Sequence, residues 1–325
     1  MTAILRVALG LGLIGLVIWL RGGVGDIVQV LEGAGWLGIL LVTFFHYIPM
    51  ALCGVAWRVM LPDAPKGALV AFVHARWVRD AINQLLPFMP LGGEVIGARM
   101  IAARGVGGSM AAALTVVDIT AEVMSQTAYS LIGVAMWLDR SPEGGVLTWA
   151  VLGAVITLPM LLGLLLAQKL GLVRWLEKLA DKVMPAAWKT EAGDAASIHD
   201  TIVTLYAQRG RFALATAIHL AGWLTASCEA WLALRVIGAP ISIGDALALE
   251  SVIYAVRNAA FLVPGGLGVQ EGAYALVGAA LGLPPEAALA LAVIKRGREL
   301  LMGVPAILSW QWLGRKKPDA IDQAR

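Results

Sequence analysis

The chain has 325 residues, of which 59% are hydrophobic and 14% charged, and its mean hydropathy is +0.78. That composition excludes an ordinary soluble domain, whose apolar share is about 45–50%, and a formal charge of +3 is too small to mark a nucleic-acid binder. The sequence describes an all-α polytopic membrane protein, with lipid as the solvent for most of its surface.

A membrane-crossing helix needs about 20 mostly apolar residues. Six stretches supply them: residues 3–20, 36–60, 109–138, 146–168, 212–237 and 286–313. The first is followed by Arg21-Gly22-Gly23, which offers no small-x-small cleavage site, so it is expected to remain as an uncleaved span. Between the second and third spans lies Leu86-Pro87-Phe88-Met89-Pro90-Leu91-Gly92-Gly93-Glu94. Between the fifth and sixth lies Val263-Pro264-Gly265-Gly266-Leu267-Gly268-Val269-Gln270-Glu271. Pro87, Pro90, Gly92 and Gly93 in the one, and Pro264, Gly265, Gly266 and Gly268 in the other, break helices in apolar surroundings.

These two stretches are related by a fixed offset, 264 − 87 = 271 − 94 = 177. The same offset pairs Gly105 with Gly282, Glu122 with Glu299, Arg58 with Arg235 and Gly67 with Gly244. Matches that repeat at one spacing on charged and chain-breaking residues point to an internal duplication. Repeat 1 is expected over residues 36–138 and repeat 2 over 212–313, joined by residues 139–211, which hold a span and a cytoplasmic linker, with a cytoplasmic tail at 314–325. All belong to a single membrane domain, 1–325.

Lys and Arg gather around the first breaker, between spans four and five, and at the C-terminal end, which the positive-inside rule assigns to the cytoplasm. The connections at 21–35, 139–145 and 238–285 are poor in Lys and Arg and fit the outer side. Six spans thread through this pattern only if each breaker dips into the bilayer and returns to its own side. The expected fold is therefore about six transmembrane helices plus two re-entrant helical hairpins in an inverted repeat, with both termini cytoplasmic. Inverted repeats with broken helices at the midplane are a recurrent transporter plan. Residues 170–185 alternate apolar and basic positions at helical spacing, which describes an amphipathic interfacial helix, and residues 195–206 form a weaker second one.

The densest charges in an apolar setting are Lys295, Arg296, Arg298 and Glu299 in span six and Asp118 and Glu122 in span three. Unpaired, six such charges would cost on the order of 15 kcal/mol, at about 2.5–3.5 kcal/mol each. Asp118 and Glu122 share one helix face, as do Lys295 and Glu299, and the repeat symmetry is expected to bring these faces together. Three positive charges would then cancel three negative ones. The group reads equally as an ion-pair network tying span three to span six and as a polar cavity for a lipid head group. Glu94 and Glu271 at the breaker tips would line the same cavity, with Arg79 and Arg257 as their partners. Arg58 beside Trp57 reads as an interfacial anchor pair, and Trp19, Trp36, Trp137, Trp149 and Trp312 as an aromatic belt. His46 and His219 inside spans suggest interhelical hydrogen bonds.

Enzyme signatures are missing. Gly10-Leu11-Gly12-Leu13-Ile14-Gly15 matches the dinucleotide pattern but lies within a span with no preceding strand. There is no His-Glu-x-x-His, Cys-x-x-Cys or nucleophile elbow, so no catalytic residue, metal or cofactor is expected. Gly278-Ala-Ala-Leu-Gly282 reads as a helix-packing pattern.

Trp57-Arg58-x-Met60-Leu61, Pro90-Leu91-Gly92-Gly93-Glu94 and above all Pro264-Gly265-Gly266-Leu267-Gly268-Val269-Gln270-Glu271-Gly272 resemble the flippase-like transmembrane region of lysylphosphatidylglycerol synthases. That family includes stand-alone members associated with hopanoid biosynthesis. The resemblance implies a bacterial inner-membrane protein whose partner is a membrane lipid, a hopanoid or a phospholipid. Synthases carry a further catalytic domain after this region, whereas this sequence stops at Arg325, so aminoacyl transfer is not expected. The leading expectation is a lipid transporter working by alternating access. The alternatives are a membrane-embedded transferase acting on a lipid head group and a small-solute or ion transporter.

Overall fold

The computed structural model describes residues 24–85, 92–140, 162–163, 166, 198–259 and 269–315. Among these residues the structure is all-helical, without a strand. The span at 3–20, nearly all of the span at 146–168, the amphipathic segment 170–185 and the breaker residues Pro87, Pro90, Pro264, Gly265, Gly266 and Gly268 lie outside the described residues, as do residues 316–325 of the tail.

The first half holds α1 (Val24–Phe45), α2 (Tyr47–Met60), α3 (Ala68–Leu85), α4 (Gly92–Ile101), a π-helical turn (Ala102–Val106) and α5 (Gly108–Arg140). The second holds α6 (Ile198–Ala207), α7 (Arg209–Val236), α8 (Ile243–Ala259), α9 (Val269–Ala280) and α10 (Pro285–Arg315). α1 is kinked at Gly35, which stands outside helical geometry at φ 63° and ψ 162°. His46 forms the turn that leads into α2. Leu31–Met60 has a mean hydropathy of 2.0 over its most apolar window and is long and apolar enough to cross a membrane. At 1.5 Å per residue, the 33 residues of α5, 28 of α7 and 31 of α10 also exceed a hydrocarbon core of about 30 Å. Their hydropathy is reduced by the charges they carry inward, described below.

The chain repeats its boundaries. α10 starts 285 − 108 = 177 residues after α5. Gly105 and Gly282, 282 − 105 = 177 apart, precede these helices at φ 91° and 76°, a conformation that glycine adopts without a Cβ clash. Gly282 closes α9 by a Schellman motif, in which Leu283 N–H donates to the Gly278 carbonyl and Gly282 N–H to that of Ala279. The glycine pair 278/282 is thus a helix stop. Of the two, Gly278 makes a close contact, against Ala288.

Packing follows the same correspondence. α2 lies against α7, α3 against α10 and α5 against α8, and within each half α3 packs on α4 and α8 on α9. The α3–α10 contact closes over Gly303, where a Cβ would stand 2.6 Å from Leu85 Cδ1, and the α5–α8 contact over Gly133 against Ser251. Small residues let these backbones approach, as membrane helix pairs require. One apolar core joins α7–α10 with Val42 and Trp137, a second joins α2, α3, α5 and α6, and a small third, Val78, Ala81, Ile82 and Ala306, sits between α3 and α10. The belt reading fails for Trp137, 2% exposed, and the interfacial-anchor reading for Trp57, fully buried against Phe72. Arg58 turns back to cap α2, donating to the Leu61 carbonyl at 2.7 Å. Trp36, Leu37, Phe44 and Ile48 form the outward face of α1 and α2.

Candidate functional site in the buried charge networks and the cleft between them

On α3, residues 76, 79, 80 and 83 recur every three or four positions and so form one polar stripe on an apolar helix. Asp118 and Glu122, one turn apart on α5, face it. Arg76 donates to Asp118 Oδ2 at 2.8 Å and to Glu122 Oε1 at 2.6 Å; Arg79 donates to the same two carboxylates at 3.2 and 3.1 Å. Two planar guanidinium forks thus bridge two carboxylates, the geometry in which charge-assisted bonds are strongest. The second oxygen of Asp118 bonds His219 Nε2 at 2.7 Å, which ties α7 into the same group.

Arg79 Nε also reaches Glu94 at 3.2 Å, and Asn83 holds Glu94 at 2.9 Å while accepting from Gly93 N–H at 3.1 Å. Glu94 sits in the first turn of α4, where the orphan N–H groups favour a carboxylate. Gly93 is required there, because a Cβ would lie 2.4 Å from the Arg79 carbonyl.

The second half carries a matching group with a different wiring. Glu250 of α8, fully buried, accepts from Tyr274 Oη at 2.6 Å and is paired with Lys295. Arg296 bridges Glu271 at 3.0 Å and Glu299 at 2.8 Å. Arg298 donates to Glu229 of α7 at 2.5 Å, and His46 Nδ1 stands 2.5 Å from the other oxygen of Glu229. Glu271, like Glu94, lies in the first turn of its helix.

Several expected pairings are corrected by these contacts. Asp118 and Glu122 bond Arg76 and Arg79 of their own half, not the charges of α10, because the α3 stripe already faces them. Lys295 and Arg298 are taken by Glu250 and Glu229. Glu271 is held by Arg296, while Arg257 lies over the Tyr254 ring at 5.7 Å. Arg76 and Arg79, read as part of a cytoplasmic cluster, and Glu250, read as part of an outer connection, are buried at 2%, 5% and 0% exposure. Among the described ion pairs the carboxylates are Asp80, Glu94, Asp118, Glu122, Glu229, Glu250, Glu271 and Glu299, eight in all. The cations are Arg76, Arg79, Lys295, Arg296 and Arg298, five, before His46 and His219 are counted. The three-against-three cancellation does not describe this set, because acids outnumber bases.

Between the two groups, α3 and α10 leave a small open cleft, lined by the polar residues His46, Trp77, Asp80, Gln84, Arg298 and Glu299 and by the apolar residues Met50, Ala81, Met302 and Gly303. Trp77 Nε1 is a buried donor without an acceptor. The sequence by itself does not single out Arg76, Asp80, His219, Glu229, Glu250 or Tyr274 for this site. Among the described residues no group of His, Cys, Asp and Glu has metal-binding geometry.

Comparison with curated proteins and with solved structures gave no match. The family model described as the lysylphosphatidylglycerol synthase TM region matches residues 3–306, nearly the whole chain. The chain belongs to that family, and is therefore a membrane protein of a lipid-related family.

Proposed function

We propose that the protein is a lipid transporter rather than an enzyme, moving a hopanoid or phospholipid across the bacterial inner membrane, with the head group in the cleft between α3 and α10 and the tails left in the bilayer. The observation that carries this reading is the cleft itself, which lies where the two halves meet. Its lining brings the charged groups Asp80, Arg298 and Glu299 and the unsatisfied donor Trp77 together with Met50, Ala81, Met302 and Gly303. A lipid head group with its first methylenes combines polar and apolar parts in the same way.

In this reading the halves are inverted repeats, the breaker stretches are re-entrant hairpins ending at Glu94 and Glu271, and rocking of α3 against α10 exposes the cleft to each side in turn. The repeated boundaries at 177 residues and the exchanged contacts α3–α10 and α5–α8 support it. The ion pairs would hold the moving helices in register while the cleft exchanges its contents.

The test is transbilayer movement of fluorescent phosphatidylglycerol, and in parallel of a labelled hopanoid, in vesicles containing the purified protein. Movement faster than in empty vesicles, and reduced by Trp77→Phe, is expected. Equal rates with and without protein for both lipids would refute the reading.

A further inference from the structure

We propose that His46 is a proton-binding site that couples the movement of the two halves to protons, with Asp80 as the carboxylate through which protons enter from the cleft. This rests on the transport reading above and adds its coupling ion.

The argument begins at one ring nitrogen. His46 Nδ1 lies 2.5 Å from Glu229 Oε2 and 2.8 Å from Arg298 NH1. A guanidinium can only donate and a carboxylate, when ionised, can only accept. Nδ1 must therefore carry a hydrogen to satisfy Glu229 and must lack one to satisfy Arg298. Both bonds cannot be made in one protonation state. Adding a proton to the ring fills both nitrogens, keeps the Glu229 bond and expels Arg298. When the proton lost is the one on Nδ1, that nitrogen is free to accept from Arg298, which keeps its own bond to Glu229 Oε1. Loss from Nε2 leaves the Glu229 bond in place, so the switch requires the neutral tautomer with Nδ1 bare.

The position of His46 makes that choice mechanical. His46 belongs to the turn between α1 and α2 of the first half, whereas Glu229 and Arg298 belong to α7 and α10 of the second. A change of partner at Nδ1 is therefore a change in how the halves are joined, which is the kind of two-state contact a coupling ion has to bias.

A route for the proton is also present. The His46 side chain is 21% exposed and lines the cleft, as does Asp80, 32% exposed. Arg76 approaches Asp80 at 3.3 Å but bonds Asp118 and Glu122 more closely, at 2.8 and 2.6 Å, so Asp80 holds the weakest share of that guanidinium. The groups that face His46 are Glu229 from α7, Lys295, Arg298 and Glu299 from α10, and Asp80 from α3 with Arg76 and Arg79 behind it. Asp118 and Glu122 of α5 stand behind those arginines, and Glu250 of α8 behind Lys295.

Two measurements test the proposal. The chain has four histidines, so nitrogen-labelled histidine NMR in lipid nanodiscs, with His46→Gln to assign the signal, reads the ring directly. The His46 ring is expected to be cationic at about pH 5 and neutral, with Nδ1 as acceptor, at about pH 8. A ring that keeps one form over that range would overturn the site. In vesicles, an imposed pH gradient is expected to change fluorescent phosphatidylglycerol movement by about fivefold or more. In His46→Gln the ratio of rates with and without the gradient should fall to about one whatever the basal rate, and Asp80→Asn should lower that ratio. Wild-type movement indifferent to the gradient would overturn the coupling and leave the transport reading standing. A titrating His46 in a protein that moves no lipid would remove both the transport reading and the coupling.

Discussion

Arg76 and Asp118, 42 positions apart in the chain, face each other from α3 and α5 at 2.8 Å, both buried. Breaking a buried pair from one side leaves an uncompensated charge and costs about 3–5 kcal/mol. Asp118→Asn removes the carboxylate that Arg76, Arg79 and His219 share. It is expected to destabilise the protein by that amount, read as a lowered melting temperature in detergent. Arg76→Met combined with Asp118→Leu should recover part of the loss, because the pair is then removed from both sides. A single substitution without effect would show that water already reaches the group.

Glu94 presents a different case. Its side chain is 14% exposed and it bonds Arg79 Nε and Asn83 rather than the buried pair itself. Glu94→Gln keeps shape and one acceptor, so the melting temperature should change little. Lipid movement is expected to fall about tenfold, equivalent to ~1.4 kcal/mol, since the breaker tip loses its charge-assisted hold on α3. A large melting shift with unchanged movement of the remaining folded protein would assign Glu94 to stability alone.

The contact between α3 and α10 can be locked. A Cβ built at Gly303 lies 3.6 Å from Ala81 Cβ, within the range of about 3.5–4.5 Å that a disulfide spans. With Cys53 and Cys228 replaced by Ser, Ala81→Cys with Gly303→Cys should oxidise readily and stop lipid movement. Reduction should restore it. Rapid oxidation with undiminished movement would show that these helices do not separate during transport.

Gly282 and Gly272 separate backbone need from space. Both would give an added Cβ open room, but only Gly282 has a positive φ, 76°. Gly282→Ala is expected to cost about 1 kcal/mol from left-handed strain. Gly272→Ala, inside α9, should stabilise by roughly 0.5–1 kcal/mol through lost unfolded-state entropy. Paired chemical-denaturation curves would check the opposite signs.

The family and the helical class were legible from the breaker motifs and the apolar composition. The carboxylates of α5 were legible too, since two acids one turn apart stand out in an apolar stretch. Their partners were not. The contacts of Asp118 with His219 and of His46 with Glu229 join residues 101 and 183 positions apart, and no local period encodes such a choice. Arg76 and Arg79 looked like cytoplasmic charges, since counting Lys and Arg by segment does not distinguish a solvated guanidinium from one sunk between helices. Glu250 was assigned to a loop because α8, at 17 residues, is shorter than a full span and escapes a search for spans.

Gly54 on α2 lies against the backbone of Val73 on α3, where a Cβ would be 2.8 Å from Val73 Cα and 2.9 Å from its nitrogen. Val73 Cγ2 lies closer still, at 2.5 Å, so only a residue without a Cβ lets the two helices approach this closely. His46 leads into α2 and Asp80 lies on α3, so this tight contact ties together the two elements that bring these residues to the cleft.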